Sequence, residues 1–146
     1  WGIEQHVRDA RVSMIYEGTN EIQAIDLLVR KTLPDGAASL RALLAELAED
    51  SADPRARAAL ERFEHFVQHA VVAATTPGGT ASTDRPYWLA DDFLRALALL
   101  LMAWAWSRIA AAESGGKPSA GAAFWRWVWP EFEMRMTLMD NTLAEA

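Results

Sequence analysis

The chain has 146 residues, 51% of them hydrophobic and 23% charged, enough to bury one sizeable core and within the range of an ordinary globular domain. A formal charge of -6 and a pI near 5.0 argue against a surface that tracks phosphates, since nucleic-acid binding needs clustered Lys and Arg, so no nucleic-acid partner is expected. Cysteine is absent, which excludes disulfides, thiolate nucleophiles and cysteine-ligated metals, and a cytoplasmic setting fits best.

The chain opens on Trp1-Gly2-Ile3 without an initiator methionine and reads as a piece cut from something longer. Charges from Glu4 onward, with no apolar run behind them, do not make a secretory signal. Helical periodicity follows throughout, without the sustained alternation of a half-buried strand, so the class is all-α. A short helical piece is predicted around Glu4 to Arg11. After a break at Gly18, Thr19 or Asn20 caps a helix that runs to about Thr32, ahead of Pro34-Asp35-Gly36. Leu40, Leu43, Leu44 and Leu47 line one face of the next helix. From Pro54, a good first-turn residue, a third helix places Leu60, Phe63, Val67, Ala70 and Ala74 on one stripe.

Residues Thr75 to Arg85, rich in Gly, Ser and Thr, read as a mobile loop. A fourth helix from about Pro86 to Glu113 presents Leu89, Phe93, Leu97, Leu100 and Trp104, and its near-continuous apolar character predicts a central position buried on more than one face. Its most apolar stretch, Ala96 to Trp106, falls short of the roughly 20 residues that cross a bilayer, so no membrane span is expected. Another loop, Ser114 to Gly121, precedes a last stripe of Trp125, Trp129, Phe132, Met136, Met139 and Leu143. Pro130 inside that run predicts a kink or a restart. The third to fifth helices form an antiparallel bundle in this reading, with the second packed against it.

The segment Ile15-Tyr16-Glu17-Gly18-Thr19-Asn20-Glu21-Ile22-Gln23 sets an acid before a glycine, a helix cap and an amphipathic run. Its plainest reading is local structure: Thr19 and Asn20 are preferred caps, Gly18 permits a turn at positive φ, and Glu17 and Glu21 sit near the positive end of a helix dipole. Together with Arg8-Asp9-Ala10-Arg11, however, the segment resembles the signature of the acyl-CoA dehydrogenase family, both halves standing at the family's spacing. The detailed resemblance covers Gly2 to about Lys31; Pro34 to Ala146 resembles, more loosely, the extra helical domain appended in some bacterial members. The domain division expected from it is 1–33, the end of the C-terminal helical domain, and 34–146, an appended bundle. The fold is then an antiparallel helical bundle preceded by a short helix-turn-helix segment that carries the catalytic motif.

The resemblance implies flavin-dependent α,β-dehydrogenation of an acyl-CoA thioester, as in fatty acid metabolism. Glu17 matches the family's base, which takes the α-proton while a hydride leaves the β-carbon for FAD. A carboxylate in water is too weak a base for such a carbon acid, so the site must desolvate it and stabilise the enolate-like oxygen. The backbone N–H of Glu17 and a ribityl hydroxyl are implied as donors to that oxygen, Gly18 as room for the substrate, and Thr19, Asn20 and Glu21 as flavin contacts. Further implied are an electron-accepting flavoprotein, a homo-oligomer, and the N-terminal and β-domains that cradle flavin and acyl chain, without which 1–146 is expected to be inactive. In the competing reading the motif is purely structural and the chain is a non-catalytic helical interaction or oligomerisation module.

His65 and His69, with Glu61 one turn earlier, make a possible metal-ligand face, but they lie opposite the Leu60/Phe63/Val67 stripe and read as solvated, so no resident metal is expected. Glu131 and Glu133 point to different sides of a helix and cannot act as a close pair. Gly78-Gly79-Thr80 lacks the Lys and spacing of a phosphate-binding loop. Of the many tryptophans, Trp104, Trp125 and Trp129 fall on core stripes, while Trp106 and Trp127 lie off them and are candidates for contact with another subunit or domain.

Overall fold

The computed structural model describes residues 2–14, 19–75, 84–112 and 120–144, all of them helical or connecting, with no strand among the described residues. Helix α1 (Ile3–Arg11) runs into a 3₁₀ turn, Val12–Met14. Helix α2 (Asn20–Ile25) widens without a break into a π-helical stretch, Asp26–Thr32, and a 3₁₀ turn, Leu33–Asp35, leads to α3 (Ala38–Asp50). Then come α4 (Pro54–Thr75), α5 (Arg85–Ala112), α6 (Ala120–Ala123) with its π-helical extension Phe124–Val128, and α7 (Pro130–Ala144). The loops foreseen at Thr75 to Arg85 and Ser114 to Gly121, Gly78-Gly79-Thr80 included, fall mostly outside the described residues.

The bundle is all-α and its main pairs are antiparallel. Phe63 meets Phe93 at 5.2 Å while Ser51 reaches Ser107, so α4 and α5 run in opposite directions. Phe124 packs on Trp106 while Arg135 reaches Asp91 and Asp92, which sets α7 antiparallel to α5 as well. α5 is the hub: it packs on α2 and its π extension, on α4 and on α7. Phe63, Phe93, Phe132, Leu60, Leu100, Met136 and Met139 are fully enclosed there, joined by Ala24 and Leu28 from the α2 segment. One apolar cluster therefore runs across the proposed 33/34 boundary.

Two details depart from the stripes read in sequence. Leu43 is exposed and Leu40 half-buried, because α3 offers only Leu44 and Leu47 squarely to the core. Ala74 is exposed near the end of α4. α5 is longer than its most apolar stretch and on length and composition could cross a bilayer, yet its inner side builds the core. It packs on more than one side, as its apolar character predicts, and its outer side leaves Leu101, Met102 and Ile109 exposed.

The chain breaks have local causes. Pro130 has no N–H and its ring would clash with the carbonyl four residues back, so the helix widens before it, with Trp129 N–H donating to the Phe124 carbonyl at 2.9 Å, and α7 restarts on Pro130. Between the π stretch and α3, Gly36 (φ 64°) and Ala37 (φ 60°) both adopt left-handed backbone. Ala37 N–H donates to the Thr32 carbonyl at 2.8 Å, and the Ala37 methyl is completely buried. Thr32 adds its own hydroxyl, donated to the Leu27 carbonyl at 2.8 Å.

The α3–α4 corner is held from α5. Ser107 Oγ accepts from the Ala52 N–H at 3.0 Å and the Asp53 N–H at 2.9 Å, and Ser51 Oγ stands 3.2 Å away, all sealed from solvent at the two serines. Asp53 in turn caps α4 by accepting from the Arg55 N–H. Asp50, poorly placed for the dipole at the C-terminal end of α3, is offset by Arg108 at 2.6 Å and the Trp104 indole N–H at 2.9 Å. Those two donors hold its carboxyl below the ordinary aspartate value of 3.8, Arg108 contributing most.

Candidate functional site

Glu17 and Gly18, the base and the substrate-facing glycine of the sequence reading, lie outside the described residues. What is described is the element they lead into. Thr19 has extended backbone (φ -66°, ψ 146°) and is the N-cap of α2, its Oγ1 accepting from the Ile22 N–H at 3.3 Å. Its carbonyl accepts from the Gln23 N–H at 3.2 Å. Of the two foreseen caps, Thr19 takes the role, and Asn20 is the first helical residue.

Thr19, Asn20, Glu21, Ile22 and Gln23 are all exposed, Ile22 by 61%, while Ala24 and Leu28 on the opposite side are sunk into the bundle core. The core therefore fixes the axis of α2 and leaves its first turn facing outward. Capping uses one lone pair of the Thr19 hydroxyl, whose hydrogen remains a donor. By position, the Asn20 and Glu21 amides have no acceptor within the helix, so this end presents polar donors beside the acid Glu21. A surface cleft of about 510 Å³ borders it, lined by Ile22, Gln23, Ile25, Asp26 and Arg30. Asp26 is tied to Lys31 at 2.9 Å and Arg30 at 3.0 Å, and the hydrogen bond from Lys31, with the charges of both cations, lowers its pKa.

α1 packs differently. None of its residues is buried, and Ile3 and Val7, four residues apart on one side, are exposed together with Val12 beyond it. Arg8 donates to Gln5 Oε1 at 2.7 Å and Gln5 Nε2 to Asp9 at 2.7 Å, so Arg8 and Asp9 are engaged along the helix surface. α1 and the first turn of α2 are joined in sequence through residues 15–18.

The other singled-out side chains are placed as follows. Glu131 faces Arg135 and Arg95, whereas Glu133 faces Arg62, so the two carboxylates diverge. Trp106 is half-buried and stacks on Phe124 at 6.3 Å within the protein's own second apolar cluster, while Trp127 is 73% exposed with the Arg126 guanidinium 4.8 Å above its ring. The most heavily charged cluster among the described residues joins positions far apart in sequence. Arg135, 18% exposed, reaches Asp92 at 2.6 Å, Glu131 at 3.0 Å and Asp91 at 3.3 Å, and Asp92, followed by Glu131, raises its pKa. The spacings of four in Glu131–Arg135 and Asp91–Arg95 were its local signals.

A 40-residue stretch of the chain is 58% identical to part of a 3-methylmercaptopropionyl-CoA dehydrogenase from Ruegeria pomeroyi. The match takes in 27% of this chain and 7% of that protein, so the chain spans a small part of the length of the curated relative it matches. No family model matches the chain, and no solved structure matches it.

Proposed function

We propose that the chain is the C-terminal part of a flavin-dependent acyl-CoA dehydrogenase, with residues 1–33 ending its C-terminal helical domain and 34–146 forming an appended bundle. The observation that carries this reading is the two-part motif, Arg8 to Arg11 and Ile15 to Gln23, taken with 58% identity over 40 residues to a dehydrogenase of a CoA thioester. The donor set at α2 fits the cofactor: the Thr19 hydroxyl hydrogen and the amides of Asn20 and Glu21 suit the carbonyl and phosphate oxygens of FAD. FAD, when bound, supplies the hydride acceptor.

Glu17 takes the α-proton of the thioester onto its carboxylate, and its backbone N–H donates to the thioester oxygen where negative charge develops. Gly18 leaves the substrate the space that a Cβ would take. Exclusion of water around Glu17 raises its basicity, and the domains that would do this lie in the remainder of the longer protein. An electron-accepting flavoprotein and further copies of the chain belong to the same reading, and 1–146 alone does not turn over.

The test is made on the full-length protein. Glu17→Gln retains FAD absorbance and loses about 10²- to 10⁴-fold in the rate of flavin reduction by acyl-CoA. Reduction as fast as wild type sinks the base assignment. A second reading, a helical interaction module, draws on the exposed apolar outer side of α5, Leu101, Met102 and Ile109; a full-length protein without flavin absorbance would favour it.

A further inference from the structure

The chain contains three histidines, His6 on α1 and His65 and His69 on α4. His65 and His69 sit one turn apart on the outer face of α4, both exposed, with ring centroids 4.2 Å apart and the rings edge-on. Residues four apart on a helix hold their Cβ atoms about 5–6 Å apart. Two imidazole nitrogens bound to one cation at about 2.0–2.1 Å stand roughly 3.3 Å from each other, a separation that rotation of exposed rings about χ2 can reach. The inner side of the same turns carries Phe63, Phe66, Val67 and Ala70, buried in the core, so the backbone fixes the spacing before any ligand arrives.

The surroundings favour a cation. Glu61 stands one turn before His65, Glu64 lies beside it, and from α7 Asp140 shares a surface cleft with His69. The positive groups nearby are already engaged: Arg62 with Glu133 and, at 3.5 Å, Asp140; Arg41 with Glu64 at 3.4 Å. Carboxylates thus outnumber guanidiniums around the two rings.

We propose that His65 and His69 form a two-imidazole chelate for a divalent first-row transition cation. Among the described residues no group of three or more potential ligands clusters, so water completes the coordination and the site is open and exchangeable. Selectivity then follows the intrinsic order of imidazole affinity, with Cu²⁺ tightest and Ni²⁺ and Zn²⁺ weaker.

The 146-residue chain tests this with nickel chloride alone. At about pH 7.5 and about 1 mM Ni²⁺, binding to the folded helix raises Tm by roughly 3 °C. The rise disappears when EDTA is added in excess over the nickel. It disappears in His65→Ala and in His69→Ala, exposed positions whose metal-free variants keep the wild-type far-UV circular dichroism, and persists in His6→Ala. No shift in the wild type, a shift that survives His69→Ala, or one that depends on His6 overturns the proposal.

Discussion

Helices α4, α5 and α7 enclose Phe63, Phe93, Phe132, Leu100, Met136 and Met139 completely, whereas α1 buries nothing and the first turn of α2 keeps Thr19 through Gln23 at the surface. Both regions are helical, yet the bundle is stabilised by apolar area removed from water and the motif region by caps and local side-chain hydrogen bonds. Global stability is therefore set in the bundle, and α1 with the start of α2 belongs to the low-stability end of the molecule. The division suits the proposed chemistry, because donors meant for a ligand cannot also be spent on the core.

The contrast breaks most visibly at Phe93. Phe93→Ala empties the contact with Phe63 and is expected to cost about 3–5 kcal/mol in urea unfolding; a loss under about 1 kcal/mol would mean the bundle core is not the seat of stability. Arg135→Met removes the cation shared by Asp91, Asp92 and Glu131 and leaves Arg95 to Asp91 and Glu131, at about 2 kcal/mol, between the values for buried and exposed pairs. Double-mutant cycles with Asp92→Asn measure how much of that is the direct pair. Ser107→Ala strips the Ala52 and Asp53 amides of their acceptor, at about 1–2 kcal/mol by chemical denaturation.

A smaller effect is read in acid. The Asp50 pKa is lowered in the folded state, chiefly by Arg108, so its contribution is present above the ordinary value of 3.8 and fades as pH falls through the lower folded value. Arg108→Gln should move the midpoint of acid unfolding upward, and an unchanged midpoint would discount the pair. The smallest change is expected on the other side of the comparison: Ile22→Ser alters unfolding free energy by no more than about 0.5 kcal/mol, since its side chain already lies in solvent. A larger loss would show that the α2 turn is packed more firmly than its exposure implies.

The bundle was legible because an apolar residue every three or four positions can serve only one buried face. Leu60, Phe63, Val67 and Ala70, then Leu89, Phe93, Leu97 and Leu100, then Phe132, Met136 and Met139, all lie where that periodicity puts them. Pro54 and Pro130 marked helix starts through their missing N–H, for the same local reason. Contacts between distant positions were not legible. Nothing around Ser107 distinguishes it from a solvated serine until α5 brings it to the α3–α4 corner 54 residues away in sequence. Arg135 likewise meets Asp92 only because α7 returns antiparallel to α5. At the candidate site the sequence yielded the cap at Thr19 and the neighbouring residue types, since both are written in contiguous positions. The outward direction of that turn was not, because it depends on where Ala24 and Leu28 find their core.

Ala37 narrows what its position can accept. Left-handed backbone costs a residue with a Cβ about 1–2 kcal/mol, which glycine would recover, while deleting an enclosed methyl forfeits about 1 kcal/mol or slightly more. The two nearly cancel, so glycine and alanine are close to interchangeable there, and any longer side chain meets both penalties at once. The link between the motif-bearing helix and the rest of the molecule is thus confined to the two smallest residues.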